Sequence, residues 1–113
     1  MTAILRAHRT WSVPTTTGAT TDSTLIYKAG YSFGTVTNPS SANRAIAYYH
    51  VISTSTGQSG PWPLYDSDGV QATQTVVAEQ SWELHPACAG CQILVPVTAA
   101  AASTMNLLFH FQG

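Results

Sequence analysis

The stretch Arg44–Thr54 reads RAIAYYHVIST and gives the strongest indication of the fold. Most of its residues are β-branched or aromatic, the types that favour a pleated strand. Alternate residues of a strand face opposite sides of the sheet. The two sides would carry these sets: Ala45, Ala47, Tyr49 and Val51 on one, and Ile46, Tyr48, His50 and Ile52 on the other. Because both sets are mostly apolar, the stretch predicts a central strand that is covered on both faces.

Further segments with the same preferences lie on either side, separated by short stretches rich in turn residues. They are residues 4–11, 23–28, 31–37, 62–65, 72–78, 81–84, 92–97 and 104–111. In the last of these Leu107, Phe109 and Phe111 alternate with mostly polar residues, as in a half-buried strand. Strands at this spacing are typical of a sandwich or barrel rather than a βαβ fold. We therefore expect one all-β domain over residues 1–113, a jelly-roll-like antiparallel β-sandwich of about eight to nine short strands.

The intervening segments include two long Ser- and Thr-containing loops, residues 14–21 and 38–43. We expect both to be exposed and to become ordered only when the protein docks onto a partner. The Ala-rich residues 99–102 are the one rival for a helix, but they are too few to form a stable one alone.

The chain is poor in charge for a soluble domain. Only 8% of its residues are charged, against roughly 25% in an average domain. Its apolar content of 44% and net charge of −1 argue against disorder. Copies with so little charge repel one another weakly, which favours association. This composition suits a protein that lies against other subunits.

Composition also excludes several classes of partner. With only four Lys and Arg residues the chain has no basic patch for nucleic acid. No apolar run approaches the roughly 20 residues of a membrane helix. Arg6 and Arg9 lie within the apolar N-terminal part rather than ahead of it, unlike a signal peptide. We expect the protein to be made and kept in a cytoplasm-like compartment until it assembles.

The sharpest local motif is His85-Pro-Ala-Cys88-Ala-Gly-Cys91. Thiolates and imidazole are the usual zinc ligands, but a closed site needs four and the sequence has no second such pair. A thioredoxin-like redox motif needs a βαβ setting, which is missing. We expect two small, partly buried cysteines beside a tight turn, with a metal site, redox activity or a strained local disulfide as the alternatives.

Asp66-Ser67-Asp68-Gly69 resembles the start of a calcium loop. The later ligands of such a loop are missing, and Asp-Gly between strands is also a strong hairpin signal. We interpret the segment as a turn. Asp66 and Asp68 remain weak metal candidates, and no cofactor is expected.

The sequence favours a protein that is not an enzyme. Histidines that could act as bases are present at positions 8, 50, 85 and 110, but no nucleophile elbow such as G-x-S-x-G accompanies them. Asp22, Glu79 and Glu83 are scattered, with no sign of a paired acid and base.

Large aromatic residues are the remaining candidates for contacts. Trp62, Tyr65 and Trp11 are predicted to touch a partner or ligand, since such residues are enriched in interfaces and can also stack on sugars. For Trp62, in Gly60-Pro-Trp-Pro63, exposure and ordinary packing are equally expected. For Trp82 and Tyr49 we expect ordinary core or rim packing.

From Pro61 onward the order of features resembles small β-sandwich accessory structural proteins of tailed-phage virions. The resemblance is carried by PLYDSDGV at 63–70, the strand at 73–78, WELHP at 82–86, AGCQIL at 89–94 and the Ala-rich loop before the last strand. It covers somewhat under half the chain. The sequence departs from the family at Val95, where a basic residue is usual, and at Cys88 and Cys91, where apolar or small residues are usual.

The resemblance implies a virion structural protein, foremost a capsid decoration (cement) protein of a bacteriophage head. Its partners would be the major capsid protein lattice or other virion proteins, and it would act as a homo-oligomer, with a trimer as our expectation. The alternative is a tail, baseplate or head-fibre component that acts as a carbohydrate- or receptor-binding module.

Overall fold

The architecture comes from a computed structural model that describes residues 8–15, 25–27, 33–98 and 105–112. These ranges contain nine strands and one 3₁₀ turn. The strands are β1 (His8–Thr15), β2 (Ile26–Tyr27), β3 (Phe33–Asn38), β4 (Arg44–Thr54), β5 (Gly57–Pro63), β6 (Thr73–Val76), β7 (Gln80–Glu83), β8 (Ile93–Thr98) and β9 (Met105–Gln112), and the 3₁₀ turn η1 (Pro86–Gly90) lies between β7 and β8. Among the described residues, no helix has the length and apolarity of a membrane span.

The strands form two antiparallel sheets. Sheet A has the order β1-β9-β3-β7, and sheet B has the order β2-β8-β4, with β5 and β6 sharing the far side of β4. Apart from the steps from β4 to β5 and from β5 to β6, each successive strand lies in the other sheet. This is a jelly roll in which β5 and β6 together occupy the place of one strand. The predicted all-β, jelly-roll-like sandwich is confirmed.

Strand β4 has the predicted bounds and lies at the centre of sheet B. Ile46 and Tyr48 are buried in the core between the sheets, and Val51 is buried in a separate cluster on the opposite face. Coverage on both faces is therefore confirmed for the middle of the strand. It fails at the end, where Ile52 is 47% exposed.

The main core lies between the two sheets. Strand β9 contributes Leu107, Phe109 and Phe111, all completely buried, whereas His110 between them is exposed. The predicted alternation of this strand is confirmed for these residues. Fully burying one such large apolar side chain contributes about 1.5–3 kcal/mol, so this strand is a main source of sandwich stability.

A second buried cluster lies on the other face of sheet B. It contains Val51 from β4 and Ile93, Val95 and Val97 from β8. Leu94 of β8 belongs to the main core instead. Strand β8 is thus buried on both faces, which explains why its sequence, ILVPVT, is a continuous apolar run rather than an alternating one.

Two strands differ most clearly from the prediction. Strand β1 extends to Thr15, although a loop was expected from Pro14, and residues 4–7, 16–21 and 99–102 lie outside the described residues. Strand β5 begins at Gly57, although residues 55–61 were expected to form a loop. Its register with β4 shifts between His50 and Ile52, which accommodates an extra residue near Gly60 and Pro61. Proline is tolerated there because β5 is an edge strand.

Hydrogen bonds within the chain hold residues 38–43, and their ordering on docking stays a prediction. Asn38 is completely buried, and its Nδ2 donates to the carbonyl oxygens of Ala42 (2.8 Å) and Val76 (3.0 Å). Its Oδ1 accepts from the backbone N–H of Ser40 at 3.0 Å. The Asn38 side chain thus forms hydrogen bonds with backbone groups of its own loop, and these bonds hold the loop within the chain itself.

We predict that Gly34→Ala destabilises the fold. A Cβ at this position would lie 2.9 Å from Phe111 Cδ1 and 3.0 Å from the carbonyl oxygen of His110. Overpacking of this kind costs about 1–3 kcal/mol of unfolding free energy, measurable by urea denaturation. Gly90→Ala is the control, since a Cβ there meets nothing within 4 Å. Equal stability of the two variants would contradict the packing described for β3 and β9.

Candidate protein-interaction surface

A small hairpin leaves sheet B beside Tyr48. The Tyr48 carbonyl accepts from the Leu64 N–H (3.1 Å), and the Tyr48 N–H donates to the Ala72 carbonyl (2.9 Å). Ala72 N–H also donates to the Leu64 carbonyl at 2.7 Å. The chain therefore leaves β4 after residue 64 and returns at residue 72. We call the excursion, residues 65–71, the tongue.

The tip of the tongue is the turn predicted from Asp66-Ser67-Asp68-Gly69. The Asp66 carbonyl accepts from Gly69 N–H at 3.0 Å, and Gly69 adopts a φ of 78° that favours glycine. Oδ1 of Asp66 accepts from the backbone N–H groups of Asp68 (2.9 Å) and Val70 (3.0 Å). This carboxylate oxygen therefore closes the turn. Across the described part of the chain, no three His, Cys, Asp or Glu residues are grouped so that they could hold a metal ion.

Tyr48 anchors the base of the tongue through its side chain as well. Its hydroxyl donates to Gln74 Oε1 at 2.7 Å, and Gln74 Nε2 donates to the Glu83 carbonyl at 2.6 Å. The pair links β4 and β6 of sheet B to β7 of sheet A. Burial raises the pKa of Tyr48 well above its ordinary value, and the nearby Cys88 raises it further. The phenol is consequently neutral and remains a hydrogen-bond donor.

The predicted motif around His85 forms η1. His85 Nδ1 accepts from the Ala87 N–H at 3.1 Å and so caps the turn, and its ring lies 6.4 Å from that of Tyr48. Cys88 and Cys91 are both buried and are not joined in a disulfide. They lie deeper than the partial burial expected from the sequence. The backbone N–H of Cys91 donates to the Cys88 carbonyl, which closes the turn.

A cleft of about 450 Å³ separates the tongue from η1. It is lined by Tyr65, Asp66, Ser67, Asp68, His85, Pro86 and Ala87. The fold thus brings the predicted contact residue Tyr65 together with both acidic candidates and with His85. An aromatic ring beside carboxylates and an imidazole offers both a stacking surface and hydrogen-bond acceptors.

Two pairs of apolar side chains are exposed along the β5 side of sheet B. Tyr65 (56%) and Val70 (59%) lie on the tongue, and Trp62 (51%) and Ile52 lie on β5 and β4. The pairings Ile52 with Ser59 and His50 with Trp62 place Ile52 and Trp62 on one face, and Trp62 Nε1 donates to Ser59 Oγ at 3.1 Å. We call Ile52 and Trp62 the β5 patch.

Strand alternation separates the predicted contact residues. Leu64, opposite Tyr48, packs against the core, so Tyr65 points to the opposite face of the strand from Leu64 and from Trp62. The two rings therefore do not form one stacking platform. Trp11 lies in sheet A, where its backbone pairs with that of Phe109.

Sequence reasoning missed two members of this surface, since Ile52 and Val70 were not singled out. Trp82, for which core or rim packing was expected, is 41% exposed on β7. Tyr49 is partly buried against the second cluster, as expected. The exposure of Trp82 has a physical cause: β7 is an edge strand of sheet A, where a side chain has a neighbouring strand on one side only.

No protein-family model and no curated protein matches the sequence significantly. A solved structure, that of the SPBc2 prophage-derived protein YomS, is similar to this chain with a TM-score of 0.59. The match covers 100% of this chain and 99% of that chain, at 11% sequence identity. At this identity the likeness shows a shared fold over the whole length of both chains.

We predict that Tyr48→Phe lowers the free energy of unfolding by about 0.5–1.5 kcal/mol, the usual contribution of one hydrogen bond. The substitution removes the hydroxyl that donates to Gln74 Oε1. Urea denaturation measures the effect. Tyr65→Phe, at an exposed ring, is the matched control and should change stability by less than about 0.5 kcal/mol. A Tyr48→Phe variant as stable as this control would contradict the role of the hydroxyl.

The raised pKa of Tyr48 also predicts a loss of stability in alkali. Below the ordinary value of 10.0 the phenol is protonated in both the folded and the unfolded chain. Above it the unfolded chain releases a proton that the folded chain retains, so unfolding becomes easier as pH rises. The Tyr48→Phe chain should lose stability less steeply above pH 10, by up to about 1.4 kcal/mol per pH unit. Parallel curves from urea titrations at pH 9–11 would refute this.

Proposed function

We propose that this chain is an accessory structural protein of a bacteriophage virion, most concretely a capsid decoration protein that binds the lattice of the major capsid protein. The proposal is supported by a jelly roll similar over its whole length to a prophage-derived protein. It is also supported by a chain with 8% charged residues that exposes several large apolar side chains. The chain would be made in the host cytoplasm and end in the virion.

The tongue is the observation that carries this proposal. Single exposed apolar residues are normal on a monomer. The tongue differs because it projects from the sheet and exposes Tyr65 and Val70, which strand alternation places on opposite faces. A projection with apolar residues on both faces fits a seam between two subunits better than a flat surface.

The mechanism would be passive. Burial of apolar surface contributes about 25 cal/mol per Å², and this free energy opposes separation of the subunits that the tongue bridges. Many copies on a symmetric shell multiply a weak single contact through avidity. No covalent chemistry is required, in keeping with our proposal that the chain is not an enzyme.

The cleft supports one alternative, a tail, baseplate or head-fibre module that binds carbohydrate. Tyr65 offers a ring for stacking, and Asp66 and Asp68 offer acceptors for sugar hydroxyls. A glycan array separates the two functions. Specific sugar binding that is lost with Tyr65→Ala and retained with Trp62→Ala would favour the module, since Trp62 does not line the cleft.

We predict that the double substitution Tyr65→Ser with Val70→Ser weakens binding to phage heads at least tenfold, because the tongue would no longer bury apolar surface. Heads that lack the chain are titrated with purified protein, and occupancy is measured by electron cryomicroscopy. Tyr27→Ser is the control, at a residue of comparable exposure (49%) on β2, the opposite edge strand of sheet B.

Two results would contradict the proposed function. One is equal occupancy of heads by the tongue variant and the control. The other is a wild-type chain that binds no head surface and is absent from native particles.

A further inference from the structure

The two cysteines of the chain lie at the two ends of one tight turn. The backbone N–H of Cys91 donates to the Cys88 carbonyl at 3.1 Å, and that of Cys88 donates to the His85 carbonyl at 2.9 Å. In a 3₁₀ turn three residues complete one revolution with a rise of about 2.0 Å each, so residues three apart have Cα atoms about 6 Å apart. A disulfide requires Cα atoms about 4.4–6.8 Å apart. The backbone of η1 therefore already holds Cys88 and Cys91 at a separation that suits a disulfide.

Burial places both thiols on the same side of η1. Side chains three residues apart in a 3₁₀ turn eclipse each other. Cys88 and Cys91 are both buried, whereas Ala89 and Gly90 between them are exposed. Both cysteine side chains therefore point toward the interior while the turn between them faces outward. They are not joined in a disulfide, so the structure shows the dithiol form of this pair.

The histidine of the motif does not make the pair into a metal centre. His85 Nδ1 accepts from the Ala87 N–H and caps the turn. Within the part of the chain that the structure describes, His85, Cys88 and Cys91 are not grouped so that they could share a metal ion. Two neighbouring thiols without a metal can instead undergo thiol–disulfide exchange.

The outer side of η1 is open. A Cβ on Gly90 would meet nothing within 4 Å, and Pro86 and Ala89 are exposed. Surface segments with few packed neighbours open locally at a lower free energy than the whole fold. Opening of this single turn would give a small oxidant access to both thiols while the two sheets stay intact.

We propose that Cys88 and Cys91 form a redox modification site, which a low-molecular-weight disulfide converts into an intramolecular disulfide. In the first step the Cys91 thiolate attacks one sulfur of the oxidant, forms a mixed disulfide and displaces one thiolate. In the second step the Cys88 thiolate attacks the sulfur of Cys91 and displaces the other. The two cysteines give up two protons and two electrons, and the oxidant is reduced to two thiols.

The order of the two steps follows from how the thiols are packed. Cys88 is completely buried and belongs to the main core, whereas Cys91 belongs to neither buried cluster. Exchange begins at the thiol that an oxidant reaches more easily. Cys91 is therefore the first nucleophile, and Cys88 resolves the mixed disulfide from within the core.

The disulfide would fix one wall of the cleft. His85, Pro86 and Ala87 line the cleft opposite the tongue and directly precede Cys88. The biological setting of the site rests on the proposed function. A virion protein is made in a reducing cytoplasm, where disulfides are rare, and it meets an oxidising medium once the particle is released. The dithiol form would belong to synthesis and assembly, and the disulfide form to the released particle.

Mass spectrometry of the purified, folded chain tests the site. The wild-type protein is incubated with excess oxidised glutathione, denatured, and treated with iodoacetamide to label every thiol that remains. We expect a monomer that has lost two hydrogen atoms, carries no glutathione and takes up no label. Subsequent reduction should restore two labelled cysteines.

The single variants Cys88→Ser and Cys91→Ser are the matched controls. Each keeps one thiol and cannot form the internal bond, so each should end as a stable glutathione adduct. The adduct should form faster in Cys88→Ser, which keeps Cys91, than in Cys91→Ser. A thermal melt verifies that each variant is folded, and the wild-type measurement tests the site without either of them.

Three outcomes would overturn the modification site. They are a wild-type chain that still takes up two labels after oxidation, one that ends as a glutathione adduct, and one whose cysteines pair only between chains. The same labelling of the chain in released phage particles separates this inference from the proposed function. Particles that carry the chain with both cysteines labelled would refute the site and leave the proposed function intact. A chain that forms the bond but is absent from particles would do the reverse.

Discussion

Sheet B depends on the burial of Tyr48 in its central strand. A hydroxyl in a dry core must be hydrogen-bonded, because an unsatisfied buried polar group costs about 1–3 kcal/mol. Gln74 accepts from it and then donates to the Glu83 carbonyl, so one phenol ties both sheets together. The backbone of the same residue holds both ends of the tongue. The position of the tongue therefore depends on the hydrogen bonds that Tyr48 makes in the core.

Side-chain hydrogen bonds carry much of the polar structure of this protein. Asn38 holds its loop, Tyr48 and Gln74 bridge the sheets, and Asp66 closes the tongue through backbone N–H groups. With 8% of the residues charged, little of the surface repels a second protein. In the assembly that we propose, apolar contacts would therefore hold the subunit in place.

Two chains that are only 11% identical share this fold. The fold therefore depends on general physical requirements of a jelly roll more than on particular residues. Two sheets need apolar alternation, turns of the right length and edge strands that tolerate proline, and many sequences meet these conditions. Function depends instead on sites added to the fold. The functional proposal for this chain consequently rests on the tongue and the cleft.

The sequence by itself determined the features that depend on neighbouring residues. The bounds of β4, the buried alternation of β9 and the turn at residues 66–69 follow from side-chain preference and from glycine at a positive φ. Only the tertiary structure decided that Trp82 is exposed and that β5 continues through Pro61. These features depend on which strands lie at a sheet edge and where each partner strand stops. Both features depend on contacts between residues that are far apart in the chain. They therefore cannot be predicted from the alternation within a single strand.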